Sequence, residues 1–542
     1  MHAPPGDSAA RRLVRTARFS LDRQTAPDGT SRLVQISQPG HEEVARRAGA
    51  LLGALRPDAA PPWCEVVEDA AGVQLVFEDT GGTPLSALLG TLDTERFLRV
   101  ALAVAQALAR LHDAGLVHRA IRPEALLVDQ ASDRAWVLGF VRALHGTGTA
   151  APRALTALDD DLPWLSPEQT GRMNRSVDAR ADLYALGCTL HALATGQPPF
   201  EATDAMGWVH AHIARRPPTL DMLPATVGAV VARLLAKSVE DRYQTAAGAA
   251  ADLQRCLDAW RTDGLVPDFA LGRADVSPVL NVPERLYGRE AERNVLLAAC
   301  GRVRAGAVEV VLVAGAPGIG KSRLIDELYR PLTEQRVRVL AGKADPFSRA
   351  KPYEVLVQAV RAEVRRLLSL PEAQLAAWRV TLGAALGDAA GVVVDVVPEL
   401  VYLLGPQPTP ASLGGLETQS RFRLLLVRLV RALGEPEQPL VLLLDDLQWF
   451  DEASLAVLEH LVVDRETRSL YLVCALRGPE ADDREAVRAW IEAVGSARPL
   501  HRLELGPLDA DAVTALVRET VRGATGAEVL AALVAGKTGG NP

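Results

Sequence analysis

Residues 308–329 read VEVVLVAGAPGIGKSRLIDELY. An apolar run leads into GAPGIGKS (315–322), and a helix-like run follows it. A strand, a glycine-rich loop of G-x-x-x-x-G-K-[ST] spacing and a helix, in that order, make a phosphate cradle. Gly315, Gly318 and Gly320 let the backbone amides wrap an anion, and the following helix start favours its charge. In that geometry Lys321 reaches the β- and γ-phosphates of a nucleotide and Ser322 holds Mg²⁺, so ATP and Mg²⁺ are the expected ligands.

The surrounding sequence carries the same pattern. VEVVLVAG, VRVLAGKA, PLVLLLDD, LYLVCALR and HRLELGPL are apolar runs separated by helical stretches. That alternation predicts a parallel sheet covered on both faces, an α/β domain over 286–542. The run LVLLLDD (440–446) ends in two carboxylates. Asp445 is expected to bind Mg²⁺ through water and Asp446 to polarise the attacking water. The chain stops at GKTGGNP without a closing element, so a truncated domain with an output region beyond it is expected.

The first block, 10–262, opens with short extended stretches such as SRLVQIS and GVQLVFED between turn-rich segments. They predict an antiparallel sheet. From residue 94 the period changes: Phe97, Val100, Val104, Leu108 and Leu111 fall on one helical face. A small sheet followed by a helical lobe is a two-lobed α+β domain. Residues 263–285, with three prolines and no clear period, are expected to be a linker.

Composition sets the limits. The chain has 542 residues, a net charge of -8 and a pI near 5.8, which argues against a nucleic-acid surface. The expected apolar stretches are short or interrupted by charge, so no membrane segment is expected. Five scattered cysteines lack metal or redox spacing and fit a reducing, cytoplasmic setting. Only five lysines occur, and the first is Lys237.

Residues 116–129, LVHRAIRPEALLVD, are followed by GFV (139–141), SPEQTGRMNRSVDARADLYALG from Ser166, and Arg242. This order resembles bacterial serine/threonine protein kinases over about 250 residues. The resemblance implies that Glu168 pairs with Arg242 and that Asp182 belongs to the core helix. The chemistry departs from it. Ala120 stands at the catalytic aspartate, Arg122 at the lysine, Ala125 at the metal-binding asparagine and Gly139 at the Asp-Phe-Gly aspartate. No lysine precedes Lys237, and Gln35 is the expected occupant of the strand position. No glycine-rich loop is present, and each loss removes transition-state stabilisation. His118 and Arg119 are then packing and hydrogen-bonding residues, and Glu78 and Asp79 border a hinge.

The second block resembles signalling ATPases of the STAND class within the AAA-like superfamily. The resemblance rests on RLYGRE (285–290), GAPGIGKS, LLLDDLQWFDEASL and LYLVCALRGPE. It implies that Gly288, Arg289 and Glu290 border the nucleotide and that Arg477 senses the γ-phosphate. Gly540 and Pro542 would touch the adenine. Together the blocks resemble bacterial signalling proteins that join a kinase-like domain, a STAND-type ATPase and often a sensor histidine kinase. The expected function is an ATPase switch coupled to a degenerate kinase-like domain and to signalling partners. The alternatives are an active kinase with non-standard residues and a nucleotide-binding scaffold without turnover.

Overall fold

The computed structural model describes residues 10–542, apart from 27, 56–57, 70–71, 147–159, 172, 174, 277–281, 284, 335–336, 346–351, 369, 371, 408–414, 435–438, 479–483 and 522–525. Parts of the SPEQTGRMN run, the expected linker and the GPE following Arg477 lie outside the described residues. The chain separates into two units, Met1–Asn281 and Val282–Pro542.

The first unit begins with β1 (Arg11–Arg15), β2 (Phe19–Thr25), β3 (Ser31–Ser37), β4 (Trp63–Asp69) and β5 (Gly72–Glu78). They form an antiparallel sheet of order β1-β2-β3-β5-β4. A helix, Glu42–Leu55, joins β3 to β4 and buries Ala45, Ala48 and Leu52. The extended-and-turn reading of this region passed over that helix, although its buried positions have helical spacing.

The larger lobe is built around the helix Thr94–Asp113, started by the Asp93 side chain accepting from Arg96 N. Its expected face (Phe97, Val100, Val104, Leu108, Leu111) is buried. Each such side chain contributes about 1.5–3 kcal/mol by leaving water. Five short strands flank it: β6 (Thr83–Pro84) before the helix, then β7 (Leu116–Val117), β8 (Leu126–Asp129), β9 (Arg134–Val137) and β10 (Leu144–His145) after it. β6, β8 and β9 form one small sheet, and β7 pairs with β10.

Much of the expected linker is instead packed onto this lobe. Asp275 accepts hydrogen bonds from the Gln244 and Thr245 amides, and Leu271 O accepts from Arg233. The Arg255 guanidinium lies 4.0 Å from the Phe269 ring centroid. Aromatic and carboxylate side chains give the segment tertiary partners that its proline content does not reveal.

The second unit holds β11 (Val308–Gly315), β12 (Arg338–Lys343), β13 (Leu440–Asp445), β14 (Leu470–Arg477) and β15 (Leu500–Leu505). These are the five expected strands, in the order β12-β13-β14-β11-β15 and all parallel. Every residue of β11 is buried. The register opposes Gly315 to Arg477 and Lys343 to Asp445, so the phosphate loop, acid pair and arginine share one carboxyl edge. Ligands of open α/β sheets bind along that edge. Gln374–Val394 does have the length and apolar composition of a membrane-crossing helix, contrary to the expectation that no stretch would. Here its Leu375, Trp378, Leu382, Leu386 and Val393 line the core.

Candidate functional site

At the loop, β11 delivers Gly315, and Gly318 and Gly320 adopt positive φ of 81° and 96°. A Cβ at Gly315 would lie 2.8 Å from Leu505 O and 2.9 Å from the Ile319 side chain, so the loop cannot carry a larger residue there. The helix beyond it is broken: Lys321–Asp326 is followed by a second piece, Tyr329–Glu334.

Lys321 is buried, and its Nζ donates to Gly315 O and Ala316 O, both at 2.9 Å. The ammonium therefore lies folded against its own loop rather than projecting beyond it. Burial lowers the Lys321 pKa, and the Asp446 and Asp445 charges oppose that shift.

Ser322 Oγ donates to Asp445 Oδ2 at 2.9 Å, joining the loop to the end of β13 across 123 residues. Lys343 Nζ lies 3.5 Å from the same oxygen. A hydroxyl and a carboxylate converging at one point suit Mg²⁺, a hard cation that takes few protein oxygens and completes its shell with phosphate and water.

Asp446 is buried and left-handed at φ 59°. Its Oδ1 accepts from Arg477 Nε at 2.8 Å and from Gln448 Nε2 at 2.6 Å, and its Oδ2 accepts from Arg477 Nη2 at 3.3 Å. Burial would raise this carboxyl, but the hydrogen bonds from Arg477 and Gln448 outweigh it and the pKa is lowered. The expected sensor arginine is thus paired with the expected base. Gln448, two residues past the acid pair in LLLDDLQW, had no assigned role in the sequence reading.

The remaining expected residues sit close to this edge. Arg289 donates to Gly506 O and to Glu292, while Glu290 opens the helix Glu290–Arg304 with its side chain exposed. Gly288, at φ 59°, packs under Ala512. Of these, Arg289 braces the chain just past the end of β15. In the terminal GGNP, Gly540 O accepts from Leu508 N at 2.8 Å. Asn541 Nδ2 reaches Pro317 O of the phosphate loop at 3.2 Å. Asn541 is therefore the member of that segment that touches the loop, a contact that no local pattern announces.

In the first unit Glu168 and Arg242 form a bidentate pair at 2.7 and 2.8 Å, almost fully buried. Asp182 accepts the His118 amide at 2.8 Å and the Arg119 amide at 2.6 Å. This braces the loop before Ala120 and holds Arg119 at φ 64°. His118 Nε2 meets Leu138 O at 2.9 Å, and burial lowers its pKa. Arg119 and His118 are backbone and packing partners, as their sequence context suggested.

Contacts of the unit's own side chains join the small sheet to the helical lobe. Gln35 Oε1 accepts the Gly139 amide at 3.0 Å, and Phe19 packs over Gly139. Asp161 is held by Arg18 at 2.7 Å, Arg122 at 3.0 Å and Arg142 at 3.1 Å. Arg18 lies in the β1–β2 turn, so this cluster ties the small sheet to the helical lobe. The neighbouring Ala17 amide donates to Asp160. Glu78 and Asp79 border a cavity of about 520 Å³ floored by Pro61, Pro62, Trp63 and Trp136. Arg23 and Ser31 already bind Asp79.

Residues 62–252 match the protein kinase domain family, and residues 285–474 match the AAA ATPase domain family. The chain is 32% identical over 323 residues to hybrid signal transduction histidine kinase G of Dictyostelium discoideum, covering 55% of this chain and 9% of that protein. It is 34% identical over 191 residues to probable serine/threonine-protein kinase PknB of Corynebacterium glutamicum, 34% of this chain and 28% of the relative. Serine/threonine-protein kinase PknB of Mycolicibacterium smegmatis is 31% identical over 258 residues, 46% of this chain and 38% of the relative. The chain thus spans less than half the length of each of these relatives. It carries a protein kinase domain followed by an AAA ATPase domain. The kinase match begins at residue 62, beyond β1–β3.

Proposed function

We propose that this chain, a protein kinase domain followed by an AAA ATPase domain, is a cytoplasmic signal-transduction ATPase of STAND type whose kinase-like unit has lost phosphoryl transfer. The observation that carries the reading is the Ser322–Asp445 contact, which brings the phosphate loop and the acid pair to one point. ATP is the expected substrate, with its phosphates on the amides of Gly315–Ser322 and on Lys321. Mg²⁺ would be held by Ser322 and, through water, by Asp445, and would neutralise charge developing on the phosphates.

Asp446 would take a proton from water as its oxygen bonds to the γ-phosphorus. The β–γ bridging P–O bond breaks, the electron pair leaves on ADP, and the proton passes to the phosphate product. Slow turnover would switch the molecule between two arrangements read by signalling partners or by an output region. The kinase-like unit would regulate that switch or dock a partner.

Two features support its loss of chemistry. Alanines replace the base and a metal ligand, and Phe19 and Gln35 pack against the Gly139 turn. The test is ATP turnover by the full chain and by its Lys321→Ala variant; unchanged turnover in the variant sinks the reading.

The likeness to proteins named serine/threonine kinases favours a second reading, phosphate transfer by residues 1–262. Transfer from labelled ATP to protein by the Lys321→Ala chain would establish it. Nucleotide binding without turnover in the intact chain would instead favour a scaffold.

A further inference from the structure

We propose that the cavity bordered by Glu78 and Trp136 in the first unit binds a guanidinium carried on an apolar stem, with Glu78 as its carboxylate partner. The site lies wholly within the first unit and is independent of the nucleotide loop in the second.

Its lining comes from the helix Glu42–Leu55, residues 58–63, residues 78–80 and β9. Among the described residues, β1–β3, the 119–125 loop and the Gly139 turn contribute nothing to it. It is therefore separate from the cleft where the kinase resemblance places a nucleotide. At about 520 Å³ it has the size of a small-ligand pocket, about 300–1,000 Å³.

The walls are apolar and poor in donors. Pro61 and Pro62 lead into β4, and two prolines in series hold the chain extended without an N–H to offer. Trp63 follows, opposite Phe77 in the β4–β5 ladder, with ring centroids 5.4 Å apart at an angle of 73°. Its indole lies against the helix Glu42–Leu55, where an added Cβ at Gly49 or Gly53 would be 3.6 Å away. Trp136, 7% exposed, supplies a second indole from β9. Such walls suit an aliphatic stem and give an anion nothing to hold.

Three carboxylates face this cavity with one guanidinium, that of Arg134. Two of them are already committed. Asp58 accepts from Arg134 Nη2 at 2.8 Å and lies 3.5 Å from Arg110 Nε, while Asp79 holds Arg23 and Ser31. Glu78 differs. Its exposed carboxylate has no hydrogen-bond or ion-pair partner among the described residues. Its backbone N donates to Pro62 O at 2.9 Å, which seats it beside the proline wall.

The same lining shows how a guanidinium is held. Arg134 lies 5.6 Å from the Trp136 ring centroid while it bonds to Asp58. A guanidinium gains from the indole face and from the carboxylate together, and it sheds water more readily than an ammonium does. A ligand guanidinium at Glu78 repeats that arrangement, with its stem against Trp63 and the prolines. The unpaired carboxylate also repels phosphates and carboxylates, so the ligand is a cation.

The experiment uses the full chain without nucleotide and two probes of similar shape, butylguanidinium and the neutral butylurea. Binding is measured by calorimetry, and hydrogen exchange is followed in peptides spanning 58–69 and 72–80. Butylguanidinium should bind and slow exchange in both peptides, and butylurea should do neither. Glu78→Gln keeps the shape and loses the charge, and should weaken butylguanidinium about tenfold. A blocked Ala-Arg-Ala peptide separates the two sources of the group, and either result upholds the site. Tighter binding than butylguanidinium, with the same dependence on Glu78, assigns it to an arginine of a polypeptide; weaker binding assigns it to a small guanidine.

Equal binding of the two probes, binding of neither, or binding indifferent to Glu78→Gln overturns the proposal, as does protection confined to other regions. A folding defect in Glu78→Gln would appear as lost protection in the helix Thr94–Asp113. The comparison of the two probes on the unsubstituted chain then decides.

Discussion

Gln35 Oε1 accepts the backbone amide of Gly139 at 3.0 Å, across 104 residues of sequence. The two residues occupy the positions where the kinase resemblance expects a lysine and a metal-binding aspartate. A cation and an anion that would be joined through a nucleotide and its metal are here a carboxamide and a peptide amide bonded directly. The contact needs no third component. Gln35→Ala leaves the buried Gly139 amide unsatisfied and should cost about 1–3 kcal/mol, measured by denaturant unfolding. Gln35→Lys should also destabilise and should not confer phosphate transfer, because an unpaired ammonium would then be buried against Gly139.

Asp161 collects Arg18, Arg122 and Arg142, and all four side chains are largely buried. Removing the carboxylate takes away the charge that the three guanidiniums share. Asp161→Asn should therefore destabilise the first unit by roughly 3–5 kcal/mol. Hydrogen exchange should rise in the β1–β2 turn before it rises in the helix Thr94–Asp113. Uniform loosening of both regions would show that the cluster does not hold the small sheet to the helical lobe.

Three buried histidines make the first unit acid-sensitive. His212 bonds to Leu162 O at 2.7 Å and to the Tyr184 hydroxyl at 3.0 Å, and burial lowers its pKa from 6.5 to about 3. Burial also lowers His118 and His191. Between about pH 3 and 6.5 the unfolded chain binds more protons at His212 than the folded one does. Stability from this site is complete above pH 6.5 and falls as pH drops, by up to about 1.4 kcal/mol per pH unit. Exchange in the helix Ala205–Ala214, followed from pH 7 to pH 5, should quicken beyond the intrinsic rate, and His212→Gln should flatten that dependence.

Gly540 has φ +80°, and an added Cβ would lie 2.5 Å from Leu508 O. Alanine there is strained by both conformation and space, and should cost more than about 1 kcal/mol locally. The neighbouring Asn541 contact with Pro317 should loosen with it, and nucleotide affinity should fall without loss of the parallel sheet. Calorimetric binding and exchange in β11 separate the two effects; a loss of protection in β11 would mean that the substitution acts through the fold.

The five parallel strands, the phosphate loop and the acid pair could be read directly because each is a local pattern. Continuous apolar runs, glycine spacing and a carboxylate pair at a strand end need no partner to be recognised. The same local logic identified the helical lobe, and Ala120, Ala125 and Gly139 are plain in the chain. It passed over the helix Glu42–Leu55, whose alternating alanines and leucines sit between strands. It also treated 263–285 as linker, because prolines mark a break in period but say nothing of where Phe269 and Asp275 pack.

What the sequence by itself determined is which chemical groups exist and in what order: a kinase-like block that carries Ala120, Ala125 and Gly139, then a glycine-rich loop and two carboxylates. What only the tertiary structure decided is which groups meet. Arg477 lies on Asp446, Lys321 on its own loop, Gln35 on Gly139 and Asp161 among three arginines. These pairings join residues up to 143 positions apart, or depend on rotamers and left-handed backbone. Burial sets their strength, and burial belongs to the whole fold rather than to any stretch of the chain.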